Sequence, residues 1–565
     1  MGDRWHSEVW PLNPDTMLLL TDGSILVHDA LRRRFWQRLR PDALGNYRGS
    51  TDWTVISPMY HGRLYFASAV LADGTVFVAG GEYLDDREEN SNRCEIYDPL
   101  IDRWTEIDPP PGIDHIGDSP CCVLFDGRVL VGSNQSPHTA LYDPLAGRWQ
   151  PAADKLDSSS EETWTLLPDG GVLCADCTSH PNAERYIPDE RGTGPGRWVL
   201  ADTVTPDIVD VADLEIGPAL LIGDKRVFAV GANGHTSLYN LDSGRWSPGP
   251  DFSRGPDGNL REAKDAPACL LPSGKVLCVA EQHVPGLPDP GVVVPRFSQY
   301  YLYDPPSNSL EEIAGVEAIS DRPTYYLRML LLPNGDVAVS SESTQVSYYT
   351  PDEPPLEAWR PVITSPTPLA LFRGVTNSVS GRGFNGISQA VSFGDDATMA
   401  TNYPLVRLRD SAGHVWYFRT HDHSSMGVQV PGDQTTFFDI PWDFPGGTGY
   451  CLEVVANGVP SRCVPVTVAS PAPHIVRYPV YEKLIGNLAD GGLFGVVGNH
   501  IIPVPEGPND PAGLVRRARK ALQGVGQNVR ALREVGKQTL KARVAQYRST
   551  AKVPLANLRN HRRAS

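Results

Sequence analysis

Between residues 17 and 341 the apolar positions fall into one recurring phrase: three or four apolar residues, a small-residue turn, then a second apolar run. It reads "MLLLTDGSILV", "AVLADGTVFVAGG", "CVLFDGRVLVGS", "WTLLPDGGVLCA", "ALLIGDKRVFAVG", "CLLPSGKVLCVA" and "MLLLPNGDVAVSS". The turn glycines are Gly23, Gly74, Gly127, Gly170, Gly223, Gly274 and Gly335, spaced by 51, 53, 43, 53, 51 and 61 residues. A second phrase follows most copies: "IYDPLIDRW" at 96–104, "LYDPLAGRW" at 141–149, "LYNLDSGRW" at 238–246 and "LYDPPSNSL" at 302–310. Each copy predicts two buried strands joined by a tight turn, then two outer strands joined by an Asp-Pro or Asp-Ser-Gly turn. A period near 50 residues with four strands per copy is the pattern of kelch-type propeller blades, and closing seven of them into a ring removes the exposed sheet edge. Residues 1–360 are therefore expected to form a seven-bladed β-propeller.

After Trp359 the pattern changes. Short alternating strands and Gly-rich turns from "PVITSPTPLALF" to "CVPVTV" predict an immunoglobulin-like sandwich over 361–470. Residues 471–510 are rich in Pro and Gly and read as an irregular linker. From Leu514 the apolar period becomes helical: Leu514, Ala518, Leu522, Val525, Val529 and Leu532, resuming at Leu540, Val544 and Tyr547. Gly524, Gly526 and Gly536 weaken that helix by roughly 1 kcal/mol each relative to Ala. Residues 511–565 thus form a basic amphipathic tail on an all-β body.

Charge sharpens this division. The 565 residues carry a net −17, yet Pro511–Ser565 holds fourteen Lys/Arg against one acid, Glu534, so the tail is +13 and the first 510 residues are −30. The body is a poor partner for nucleic acid; the tail could dock on an anionic membrane surface, on nucleic acid, on another protein or on its own acidic body. The N-terminus lacks the basic and apolar regions of a signal peptide, and no apolar run approaches 18 residues. A cytoplasmic location is expected, with export by another route left open.

Kelch repeats followed by an immunoglobulin-like segment resemble the galactose oxidase and glyoxal oxidase superfamily of copper-radical enzymes. The phrases "LYFASAVLADGTVFVAGGEY", "ATNYPLVRL", "FRTHDHSSMGV" and "LEVVANGVPS" look closer to an uncharacterised kelch branch of it. In the oxidases two tyrosines and two histidines hold copper, and one tyrosine is crosslinked to a cysteine. The resemblance places that crosslinked tyrosine at Tyr65, but the first cysteine of this chain is Cys94. It places a Tyr-His ligand pair at Tyr325 and Tyr326, where the histidine has become tyrosine, and the last histidine in the loop "GDDATMATNYPLV", which has none. Neutral imidazole suits copper, whereas phenol ionises near pH 10 and is a weak ligand at pH 7. Copper is therefore not expected, no catalytic residue is assigned, and Tyr65 and Tyr325 are expected to pack the channel mouth instead of ligating copper.

Counting nine residues back from each turn gives one position per blade at one end of the axial channel: Tyr65, Asp118, Glu161, Glu215, Asp265 and Tyr326 for blades two to seven, with blade five counted from Asp224. Converging carboxylates must be neutralised by a hard cation such as Ca2+, by arginines, or by raised pKa values. The leading expectation is a non-catalytic binding or scaffold propeller that takes a cation, carbohydrate or protein ligand at this mouth. Solvated or arginine-paired carboxylates that only stitch blades together are the structural alternative. A divergent oxidase of alcohols or aldehydes is the functional one.

Other candidates are sparser. Asp118, Glu215, His421 and His423 are metal-ligand candidates, the two histidines because "HDH" on a strand would place them on one face. "CADCTSH" at 174–180 offers Cys174, Cys177 and His180, but no second CxxC. Cys121 and Cys122 read as packing. Cys451 and Cys463 could be bridged across a hairpin, provided that the Asn457-Gly458 turn is lengthened or bulged.

Overall fold

The computed structural model describes residues 4–470, apart from 86, 190, 191, 193, 213, 257, 283–296, 366–368 and 394–398. The linker and basic tail expected over 471–565 lie outside the described residues. Each repeated phrase folds as the sequence pattern implies. Blade one is Pro14–Leu19, Ile25–Asp29, Trp36–Leu39 and Trp53–Val55, hydrogen-bonded in that order. Blades two to six repeat it, beginning at Ala67–Val70, Cys121–Val123, Thr163–Leu166, Ala219–Ile222 and Ala268–Leu270. Blade seven has only three strands in sequence, Arg328–Leu331, Val337–Ser340 and Gln345–Tyr349. Its fourth is the N-terminal strand Trp5–Val9, paired antiparallel from Trp5↔Tyr349 to Val9↔Gln345. The ring therefore closes by hydrogen bonds between the two ends of the repeat array, the N-terminal strand supplying the outer edge of blade seven.

The second phrase places one aromatic pair in most blades. Tyr and Trp stand directly opposite on the third and fourth strands: Tyr97↔Trp104, Tyr142↔Trp149, Tyr186↔Trp198 and Tyr239↔Trp246. Their ring centroids lie 5.1 to 5.4 Å apart. Such pairs contribute about 0.5–1.5 kcal/mol beyond area burial. Blade six has Leu310 in place of the Trp, and its Tyr303 instead stacks on Phe228 of blade five at 3.9 Å.

Residues 362–469 form a two-sheet sandwich. One sheet is Val362–Ile363, Val375–Arg382, Gln434–Ile440 and Thr420–His421; the other is built on Leu405–Arg409, Gly447–Ala456 and Val464–Ala469. Phe384, Phe418, Phe438, Leu452 and Val466 fill it. It sits on the turn face of the propeller, where Tyr417 covers Gly23 so closely that a Cβ there would lie 2.5 Å from the ring; Gly23 also has φ +76°. The Cys451–Cys463 disulfide is formed, with Cα atoms 5.3 Å apart. The hairpin turn has only two residues, Ala456 pairing with Val459, and the register shift between Pro460 and Val464 sets Cys451 opposite Pro465, so the disulfide joins diagonal positions, not the directly opposed pair expected from a lengthened or bulged turn.

One segment of the sandwich leaves it and climbs the propeller axis. Val391–Ser392 pairs with Ala268–Cys269 as a fifth strand of blade six. Gln389 accepts from Leu166 N, and Ser392 Oγ lies 3.2 Å from Thr163 Oγ1. The segment thus lies against the innermost strands of blades four and six.

Candidate functional site

The end of the channel where the innermost strands begin concentrates unusual backbone. Tyr65 (φ 50°), Glu161 (φ 51°), Leu214 (φ 58°) and Asp265 (φ 41°) precede the innermost strands of blades two, four, five and six in the left-handed region. Glu342 of blade seven joins them with φ 51°. Non-glycine residues held there cost of order 1–3 kcal/mol each and cluster at functional sites.

Glu161, Glu215 and Asp265, from three consecutive blades, each place a carboxylate oxygen within 4.8 Å of the others. Glu215 Oε2 is buried without a hydrogen-bond partner among the described residues. Burial, then the Asp265 and Glu161 charges, push the Glu215 carboxyl up to about 12, although Lys264 pulls the other way. Lys264 itself pairs with Asp210 at 2.5 Å. Asp118 does not share this cluster's donor set: it accepts from Asn134 Nδ2 at 2.9 Å, and burial raises its pKa. The structure therefore brings together three of the four expected carboxylates.

On the side of blades two and seven the mouth is phenolic and cationic. Tyr325 and Tyr326 occupy a 3₁₀ turn, Thr324–Tyr326, with ring centroids 4.5 Å apart, and both are half-buried. Tyr65 is half-buried as well; burial first, then the Glu342 charge, raise its pKa. Glu342 is driven up to about 8 by burial and by Asp15. Between them lies Arg328, fully buried, 5.8 Å from the Tyr65 ring and 3.8 Å from the ring of Phe393, the residue delivered by the axial segment. Its Nη2 is 3.3 Å from Asp15 Oδ1, and this guanidinium, with His28, holds Asp15 at about 2 against burial.

This donor set does not fit a copper-radical centre. Tyr65 has a fixed guanidinium and two carboxyl groups for neighbours, and the axial segment contributes a phenyl ring. His28, on Asp15, has both ring nitrogens engaged, by Asp15 at 3.1 Å and by the Arg33 carbonyl at 2.9 Å. No cysteine precedes Cys94 to crosslink Tyr65.

The remaining motifs separate. The strand carrying "HDH" ends at His421, and Asp422 adopts φ 51°, so His421 and His423 do not share a strand face. His421 pairs with Asp422 and Asp439, which raise its pKa against burial, while buried His423 bonds Thr436 Oγ1 and is driven down to about 3. Cys177 donates to the Leu214 carbonyl and His180 pairs with Asp207 at 2.6 Å. Cys174 joins a different set: Lys155 Nζ lies 2.7 Å from Glu162, 3.1 Å from Asp176, 3.0 Å from Glu184 and 3.6 Å from Cys174 Sγ. Burial, above all, lifts Glu162 to about 8.

Asp176, Glu342 and the buried Glu281 escaped the count back from the turns, but the repeat does mark them. An acid closes the second apolar strand in "VLCAD", "VLCVAE" and "VAVSSE", as in "VFVAGGE" at Glu82. Lys155, Phe393 and Arg63, whose ion pair with Glu95 is 2.7 Å and wholly buried, carry no periodic signal.

A family model described as the Kelch motif matches residues 63–111. No curated protein sequence matches the chain. Among solved structures, a fungal alcohol oxidase of the AA5 family in complex with copper is similar at 16% identity over 82% of this chain and 99% of its own, with a TM-score of 0.47. A streptogramin B lyase is similar at 11% identity over 61% and 97%, TM-score 0.40, and virginiamycin B lyase from Staphylococcus aureus at 10% over 61% and 98%, TM-score 0.39. The Kelch match spans the four strands of blade two, from Ala67–Val70 to Arg103–Ile107, so that blade is kelch-like in sequence and in sheet alike.

Proposed function

We propose that the protein is a non-catalytic binding propeller whose channel mouth takes a hard cation of the Ca2+ type, alone or together with a polyol hydroxyl. The observation that supports this reading is the convergence of Glu161, Glu215 and Asp265 from three blades. Three carboxylates so close in a half-buried site repel one another, and Ca2+ relieves that repulsion with oxygen ligands of the kind they supply. The half-buried rings of Tyr65, Tyr325 and Tyr326 form the wall for the organic part of a ligand. The oxidase reading is disfavoured by its donor set: phenols without imidazole, beside a guanidinium. Calcium-dependent thermal melting of the wild type against Glu215→Gln and Asp265→Asn tests the proposal. A copper-loading and peroxide-release assay on alcohols, aldehydes and sugars tests the alternative.

A further inference from the structure

The pocket around Lys155 is built unlike an ordinary buried ion pair. Glu162, Asp176 and Glu184 bring three carboxyl groups to one ammonium, an excess of acid over base, and none of these side chains is more than 4% exposed. Asp176 is 1% exposed, and its Oδ2 has no hydrogen-bond partner among the described residues. Glu162, Cys174 and Asp176 place a carboxylate oxygen, a sulfur and a carboxylate oxygen within 4.8 Å of one another. An unbalanced, water-excluded pocket with an orphaned carboxylate oxygen and a soft sulfur asks for a second cation.

We propose that this pocket binds one zinc-type divalent ion through Asp176, Glu162 and the Cys174 sulfur. The ion offsets the excess of acid, and coordination releases to solvent the thiol proton together with the proton held by Glu162. The negative charge then left faces Lys155, Trp164 Nε1, which donates to Glu162, and Leu156 N, which donates to Glu184. Lys155 shares its carboxylates with the ion and so competes with it. Glu162 adjoins the left-handed Glu161, so an ion here also anchors the residue that faces the mouth.

Cobalt(II) titration of the metal-stripped full chain, read by thiolate-to-cobalt charge-transfer absorption, tests this. One cobalt per chain is expected, displaceable by zinc. Cys174→Ser removes the absorption, Asp176→Asn weakens uptake at least tenfold, and Asp251→Asn, on the exposed surface, leaves it unchanged. Lys155→Met, which removes the competing ammonium, tightens uptake at least tenfold and decides the matter should the other variants fail to fold. No stoichiometric cobalt, absorption that survives Cys174→Ser, absorption lost in Asp251→Asn, or an unaltered affinity in Lys155→Met overturns the proposal.

Discussion

The Arg328 guanidinium lies 3.8 Å from the centroid of the Phe393 ring, joining a buried blade-seven cation to a residue contributed by the sandwich. Phe393 is 3% exposed. Phe393→Ala removes both the buried ring and the cation–π contact, and is expected to cost about 3–5 kcal/mol. Phe393→Leu should retain most of the burial and lose less. Urea unfolding measures both; equal losses would mean that the ring contributes nothing specific to Arg328.

The Arg63–Glu95 pair is fully buried, with Arg63 Nη1 also donating to the carbonyls of Gly80 and Arg93. Removing one partner strands the other charge, so Glu95→Gln is expected to destabilise by about 3 kcal/mol or more. The double variant Arg63→Met/Glu95→Leu should lose less than the sum of the two single variants. A double-mutant cycle by chemical denaturation checks this.

Glu342 provides a pH test. Its carboxyl is raised to about 8 in the folded chain, above its ordinary value near 4.5, so the folded state holds the extra proton. Its contribution to stability is complete below about pH 4.5 and is lost as pH rises through 8. Glu342→Gln, permanently neutral, should therefore gain on the wild type in melting temperature between pH 5 and pH 9. A constant difference across that range would place the proton elsewhere.

The propeller was legible because its cause is local and repeated: a buried hairpin, a glycine turn and a Tyr–Trp pair recur seven or four times, each restating the same pattern. The count back from the turns likewise reached Glu161, Glu215 and Asp265, because residues at one register of equivalent strands meet around a ring. It over-reached at Asp118, where Asn134 supplies a partner that no repeat predicts. The closing strand Trp5–Val9 pairs with residues some 340 positions away, and no local pattern encodes that distance. Phe393 and Lys155 escaped for the same reason, since each acts through contacts between segments that the period does not relate. The "HDH" alternation failed at one dihedral, Asp422, where left-handed backbone turned His423 into the core.

The most direct test of the central claim is the calcium dependence of thermal melting at the mouth formed by Glu161, Glu215 and Asp265. At a hundredfold excess over Kd, Ca2+ should stabilise the wild type by about 2.7 kcal/mol and raise its Tm. Glu215→Gln and Asp265→Asn should abolish most of that rise. A wild type whose Tm does not respond to Ca2+, or variants that respond as it does, would contradict the account.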